Sequence, residues 1–128
     1  MQNSIWLLLL IVVVFMVVRR MAPARGVTSV GSRELQLRLQ VEGADRPEFI
    51  DVREPQEYNS GHVQSFRNIP LDRISREVKA LPRNTEIVVM CRIVARSMQA
   101  ASVLKKCGFS KVTNVSGGIM AWQGKTVK

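Results

Sequence analysis

Two kinds of apolar run divide the 128-residue chain. The first is unbroken: residues 5–18, Ile-Trp-Leu-Leu-Leu-Leu-Ile-Val-Val-Val-Phe-Met-Val-Val, have neither the polar face nor the cap of a helix packed on a soluble core. The second kind is short and punctuated. Val27–Val30 reads as a strand. Leu35 and Leu39 recur at helical spacing, which predicts a helix over Arg33–Gln40 with Ser32 as its cap and Leu37 off the stripe. After a loop over Gly43–Pro47, Glu48–Val52 predicts a strand. Pro55 suits the first turn of a helix over Glu54–Asn59, which Gly61 ends. Arg67–Pro70 is a further extended piece, and Leu71–Leu81 predicts a helix with Asp72 as cap and Ile74, Val78 and Leu81 on one face. Pro82 and Asn84 turn the chain into Glu86–Met90, a β-branched run with the character of a buried strand. A helix over Met98–Lys106, opened by Ser97 or a neighbour, runs to Gly108. Lys111–Val115 is the last strand, and Ser116-Gly117-Gly118 turns into a short helix over Ile119–Trp122. Strands alternating with helical segments imply an α/β fold with a mostly parallel sheet.

The unbroken run predicts a membrane anchor. Its fourteen residues fall short of the ~20 that span a bilayer. The flanking Met1, Asn3, Ser4, Met21 and Ala22 lengthen it, with Arg19 and Arg20 snorkelling to the interface. A secretory signal places positive charge before its apolar core; here Arg19, Arg20 and Arg25 come after it. The positive-inside rule then keeps the C-terminal side in the cytoplasm. Residues 1–24 are therefore expected to be a single-pass anchor and linker, and residues 25–128 one folded domain. Ala22-Pro23-Ala24 weakly imitates a cleavage site, which keeps a periplasmic domain after signal cleavage as the alternative.

Charge and cysteine usage narrow the chemistry. The net charge is +9, and no Asp or Glu follows Glu86, whereas Arg92, Arg96, Lys105, Lys106, Lys111, Lys125 and Lys128 do. Such a field favours small anionic ligands and anionic membrane surfaces. Nucleic acid is not expected as a partner: the basic residues are scattered, aromatic content is 5% and no recognition motif is present. Cys91 and Cys107 would sit roughly 15 Å apart along a helix rising ~1.5 Å per residue, too far for a disulfide. Two distant cysteines and one histidine do not make metal-ligand spacing, so neither a metal nor a cofactor is expected.

The candidate site is Cys91-Arg92-Ile93-Val94-Ala95-Arg96-Ser97. A cysteine at the end of a strand lies where parallel sheets carry their functional groups, beyond the carboxyl ends of the strands. Loop amides and the first turn of the following helix can hold an anion there. Those amides, with Arg92 and Arg96, are expected to favour the thiolate over the thiol.

The stretch Val27–Lys128 resembles the rhodanese family of sulfurtransferases. Asp51-Val52-Arg53-Glu54-Pro55 with Glu57-Tyr58 and Gly61-His62-Val63 is similar to its first signature; Asn68-Ile69-Pro70 follows; Cys91–Ser97 matches its active-site loop; and Gly117-Gly118-Ile119-Met120-Ala121-Trp122 is similar to its closing signature. The resemblance implies a five-stranded, mostly parallel sheet with helices on both faces. It also implies a persulfide mechanism at Cys91, with sulfane sulfur taken from a small anionic donor (thiosulfate or a persulfide) and passed to cyanide, a thiol or a protein cysteine. Arg92, Ile93, Val94, Ala95, Arg96 and Ser97 would line the substrate: Arg96 neutralises the anion or buttresses the loop, Arg92 steers anions at the rim, and Ser97 caps the helix. Asp51, Arg53 and Glu57 are expected to form turn hydrogen bonds and a local ion pair, His62 to be structural, and Cys107, Phe109 and Trp122 to be core. Ala95 stands where the family often has glycine; a left-handed backbone there would cost alanine about 1 kcal/mol.

Two rival readings stand beside the enzyme: a non-catalytic rhodanese-like interaction module at the membrane, and a cysteine phosphatase or arsenate reductase. Cys91 and Arg96 enclose four residues, the spacing of the sulfurtransferase-type loop, where the related phosphatases enclose five. That disfavours the second rival.

Overall fold

The computed structural model describes residues 2–21, 26–92 and 94–128. Ile93 and the cleavage-like Ala22-Pro23-Ala24 lie outside the described residues, as do the side chains of Arg20, Met21, Val94 and Ala95. Five strands, β1 (Val27–Val30), β2 (Glu48–Asp51), β3 (Arg67–Asn68), β4 (Ile87–Met90) and β5 (Val112–Val115), form one sheet in the order β1-β5-β4-β2-β3. Every pairing is parallel. The helices are α1 (Gln2–Met21), α2 (Ser32–Leu39), α3 (Pro55–Ser60), α4 (Ile74–Glu77) and α5 (Val94–Lys106).

Strand side chains alternate between two cores, as the two-residue period of a pleated sheet requires. Ile87, Val89 and Cys91 join Ile50, Ile74, Val78, Ala100, Ala101, Leu104 and Phe109 on the face covered by α4 and α5. Val88 and Met90 join Phe49, Leu35, Val63, Phe66 and Val115 on the face covered by α2. All four residues of β4, and all four of β5, are buried, which is why Ile-Val-Val-Met reads as a continuous apolar run instead of an alternating one.

Local chemistry departs from the sequence expectation at four places. Ser32 is the first residue of α2 and Gly31 precedes it as the cap; the Ser32 hydroxyl accepts from the Gln123 amide (3.1 Å), so it ties the C-terminal tail to the start of α2. The helix expected over 71–81 is broken into a 3-10 turn at Leu71–Arg73, the single turn α4 and another 3-10 turn at Val78–Ala80, and Asp72 caps none of them. Ile74 and Val78 are buried all the same, because a spacing of four survives the change of pitch. Helix α5 begins at Val94 and not at Ser97. The buried stripe Ser97, Ala100, Ala101, Leu104 runs at helical spacing, so packing against β4 and β5 extends the helix back towards Cys91. Trp122 is only partly buried; its indole N–H needs a partner and reaches the Lys125 carbonyl (3.1 Å).

Helix α1 has 20 residues, about 30 Å at ~1.5 Å per residue, and its large apolar side chains from Ile5 to Val18 are exposed. It is long and apolar enough to cross a membrane, a test that an N-terminal signal sequence also passes.

Leu104 is fully buried in the core between α5 and the sheet. Leu104→Ala is expected to lower the unfolding free energy by about 2–5 kcal/mol, read from the denaturant midpoint at unchanged slope.

Candidate active site

Central strand β4 ends at Met90, and Cys91 follows it, fully buried. Exposed Arg92 and residue 93 then lead directly into α5. Because α5 starts at Val94, its first-turn amides, which have no partner within the helix, begin three residues after the cysteine. The thiol thus lies between the carboxyl end of a strand and the positive end of a helix. Position 95 is inside that helix, so its backbone is right-handed and alanine carries no glycine penalty there.

The closing Gly117-Gly118 stretch holds this segment in place. The Ile119 amide donates to the Cys91 carbonyl (2.8 Å), and the Met120 amide to the Arg92 carbonyl (3.4 Å). Gly118 has φ +60, and a Cβ there would lie 2.5 Å from the Cys91 oxygen and 2.7 Å from the Arg92 oxygen. Glycine is therefore required twice, for its backbone angle and for its missing side chain. The sequence predicts a turn here, in a motif that resembles the family's closing signature; its partner is about 26 residues upstream, and only the parallel sheet brings the two together.

Arg96 is gripped by Glu57: Nη1 donates to Oε1 (2.7 Å) and Nη2 to Oε2 (3.0 Å). Glu57 stands apart from the expected local ion pair, which Asp51 and Arg53 make between themselves. It spans from α3 to α5, and it also accepts from the Glu54 amide (3.2 Å) in the capping box of α3. The Arg96 hydrogen bonds hold the Glu57 carboxyl down at about 2, against an ordinary value of 4.5. The same bonds, together with the charge of Glu57, push the Arg96 guanidinium up. Ser97 does not cap α5. It is buried within the first turns, and its hydroxyl donates to Asn114 Oδ1 on β5. Asn114 gives no sign of this in the sequence, where it stands beside Thr113 between two valines.

Asp51 and Arg53 form a separate, buried pair. Arg53 Nη2 and Nε reach the Asp51 carboxylate at 2.9 and 3.0 Å, and Nη2 also donates to the Gly61 carbonyl (2.8 Å). Asn68 Nδ2 donates to the Asp51 and Arg53 carbonyls (3.0 and 2.9 Å), which ties β3 to the end of β2. His62 stacks on Tyr58 at 3.7 Å, with Nδ1 2.9 Å from the Tyr58 carbonyl oxygen, and does not act on the thiol through any hydrogen bond described here. Cys91 and Cys107 are both free thiols, Cys107 half-buried against the core. Among the described residues, no group of three or more His, Cys, Asp or Glu is placed to hold a metal ion.

A strand-end cysteine facing a helix N-terminus over a parallel five-stranded sheet defines a class of α/β domains that present a thiol in a main-chain cradle. The chain belongs to the rhodanese-like domain family, whose model matches residues 33–125. It is similar to YrkF of Bacillus subtilis, named as a sulfur carrier protein (41% identical over 78 residues, 61% of this chain), although the match spans only 42% of that protein. It is also similar to YtwF of the same organism, named as a sulfurtransferase (36% identical over 90 residues, covering 70% of this chain and 86% of the relative). Among solved structures, rhodanese with anions from E. coli superposes with a TM-score of 0.58 at 34% identity, covering 64% of this chain and 98% of that one.

Two substitutions probe the geometry. Gly118→Ala should cost about 2–4 kcal/mol of stability, measured by chemical denaturation; an unchanged midpoint would mean that the loop backbone is not pressed on this turn. Glu57 has a lower pKa folded than unfolded, so it stabilises the native state above its ordinary value of 4.5 and that contribution drains away as pH falls towards about 2. Glu57→Gln should therefore flatten the stability–pH curve between those values and lower stability at pH 7 by about 1–2 kcal/mol, the pair being partly solvent-screened.

Proposed function

We propose that the protein is a membrane-anchored sulfurtransferase that carries sulfane sulfur on Cys91. Relatives named as sulfurtransferase or sulfur carrier support a sulfurtransferase-type function in general. The observation that carries the finer reading is the position of Cys91, immediately beyond β4 and three residues before α5, with its carbonyl bonded to the Ile119 amide. In the first half-reaction the Cys91 thiolate attacks the outer sulfur of thiosulfate. An S–S bond forms to the enzyme, the S–S bond of the donor breaks, and the electron pair leaves with sulfite. In the second, a thiolate or cyanide attacks the terminal sulfur of the Cys91 persulfide and the Cys91 thiolate departs. A low-molecular-weight persulfide serves as donor by the same two displacements.

The roles of the loop follow from this. First-turn amides of α5 stabilise the anion in the cradle. Arg96, held by Glu57, buttresses the loop and contributes positive charge behind it. Arg92, exposed beside the cysteine, steers anionic donors. The unbroken apolar run 5–18 of α1, followed by Arg19, Arg20 and Arg25, anchors the domain on the cytoplasmic side.

A second reading, a non-catalytic rhodanese-like module, has one observation in its favour: Cys91 is fully buried, as inert structural cysteines are. Intact-mass spectrometry separates the two. After incubation with thiosulfate or glutathione persulfide the enzyme should gain about 32 Da, one sulfur, removable by cyanide or dithiothreitol and absent in Cys91→Ser. No gain in mass, or equal thiosulfate:cyanide turnover by Cys91→Ser, would end the sulfurtransferase reading. Hydrolysis of an aryl phosphate would revive phosphatase chemistry.

A further inference from the structure

The all-parallel sheet sets which end of the domain meets the membrane. Strand β1 begins at Val27, in register with Val112, and Val112 is in register with Ile87. The chain arriving from α1 therefore enters at the end of the sheet where the strands start. Cys91 lies at the other end, one residue beyond Met90. Four strand residues at ~3.3 Å each put it roughly 13–17 Å away from the entry plane. The stretch between Met21 and Gly26 spans at most about 18 Å even when fully extended. With α1 in a bilayer, the entry end is held within reach of the headgroups.

The same end carries a cluster of lysines beside the entry point. Helix α5 runs back from the site and finishes there with Lys105 and Lys106, and Lys111 immediately precedes β5. Lys105 Nζ donates to the Ser110 carbonyl (3.2 Å) and lies 2.8 Å from where a Gly26 side chain would begin, so the positive charge borders the tether itself. Lys106 and Lys111 are exposed, and none of the three lysines has a carboxylate partner among the described ion pairs. The acidic residues at this end are Glu42, Asp45, Glu48 and Glu86; Glu86 is paired with Arg38, and Asp45 and Glu86 line one cleft with Arg46 and Lys111.

We propose that this strand-start end, through Lys105, Lys106 and Lys111, docks on an anionic phospholipid surface, so that the Cys91 mouth faces away from the bilayer and exchanges sulfur with soluble partners. The proposal rests on the reading of α1 as an anchor. It follows from charge complementarity to the negative leaflet and from the covalent tether, which together cover one face and leave the other free.

The test uses the full chain reconstituted in vesicles of phosphatidylcholine, with or without a large share of phosphatidylglycerol. Lysine acetylation by a water-soluble reagent is followed residue by residue by mass spectrometry. Lys106 and Lys111 should be modified about threefold or more slowly in the anionic vesicles, with the protection abolished at high salt. Lys125 should be unaffected; its carbonyl meets Trp122 close to the Gln123–Ser32 contact, beyond the ends of β1 and β5. Equal rates in both lipids, or slowing at Lys125 instead, would overturn the docking while leaving the anchor intact. Release of the chain from vesicles by alkaline carbonate would overturn the anchor, and the docking with it.

Discussion

One main-chain hydrogen bond, from the Ile119 amide to the Cys91 carbonyl, sets the geometry on which the site depends. The backbone of β4 is held by β5 as far as Val89 and by β2 as far as Met90. Beyond it the ladder stops, and a free strand end would leave the cysteine without a defined direction. The turn after β5 takes over the role of a neighbouring strand at that point. It can come close enough only because residue 118 has no side chain and accepts φ +60. The position of the sulfur is thus decided by a glycine that never touches it through a side chain.

The charged groups around the site divide their work. Asp51 and Arg53 satisfy one another in a buried pair and fasten the end of β2 to the Gly61 carbonyl, so neither carboxylate nor guanidinium is left unpaired in a low dielectric. Glu57 and Arg96 form a second pair that bridges α3 and α5, at a depth where solvent still screens it. The pairing of Arg96 means that its planar fork is already committed on two N–H groups. Its contribution near the thiol is then positional and electrostatic, and the helix amides are left to meet an anion directly.

The fold was readable from the chain because its signals are local. Glu86–Met90 announces a strand buried on both faces, Leu35 and Leu39 announce one helical stripe, and Pro55 and Gly61 bracket α3. The misreadings were also local, and each arose where a tertiary contact overrode a propensity. Ser32 looks like a cap but is recruited by the tail; Ser97 looks like a cap but is buried against Asn114, so α5 starts a turn earlier; Asp72 looks like a cap on a helix that the packing of Ile74 and Val78 breaks into shorter turns.

Residue types and their spacing were enough to place a cysteine at a strand end ahead of a helix, because strand, loop and helix are contiguous in the chain. They were also enough to mark out an apolar N-terminal helix followed by arginines. The pairing of Glu57 with Arg96, the seating of Gly118 on the Cys91 backbone and the entry of the chain into the sheet at the end remote from the thiol came from the folded molecule alone. Each joins residues tens of positions apart, and such distances close only when the parallel order β1-β5-β4-β2-β3 stacks those segments side by side.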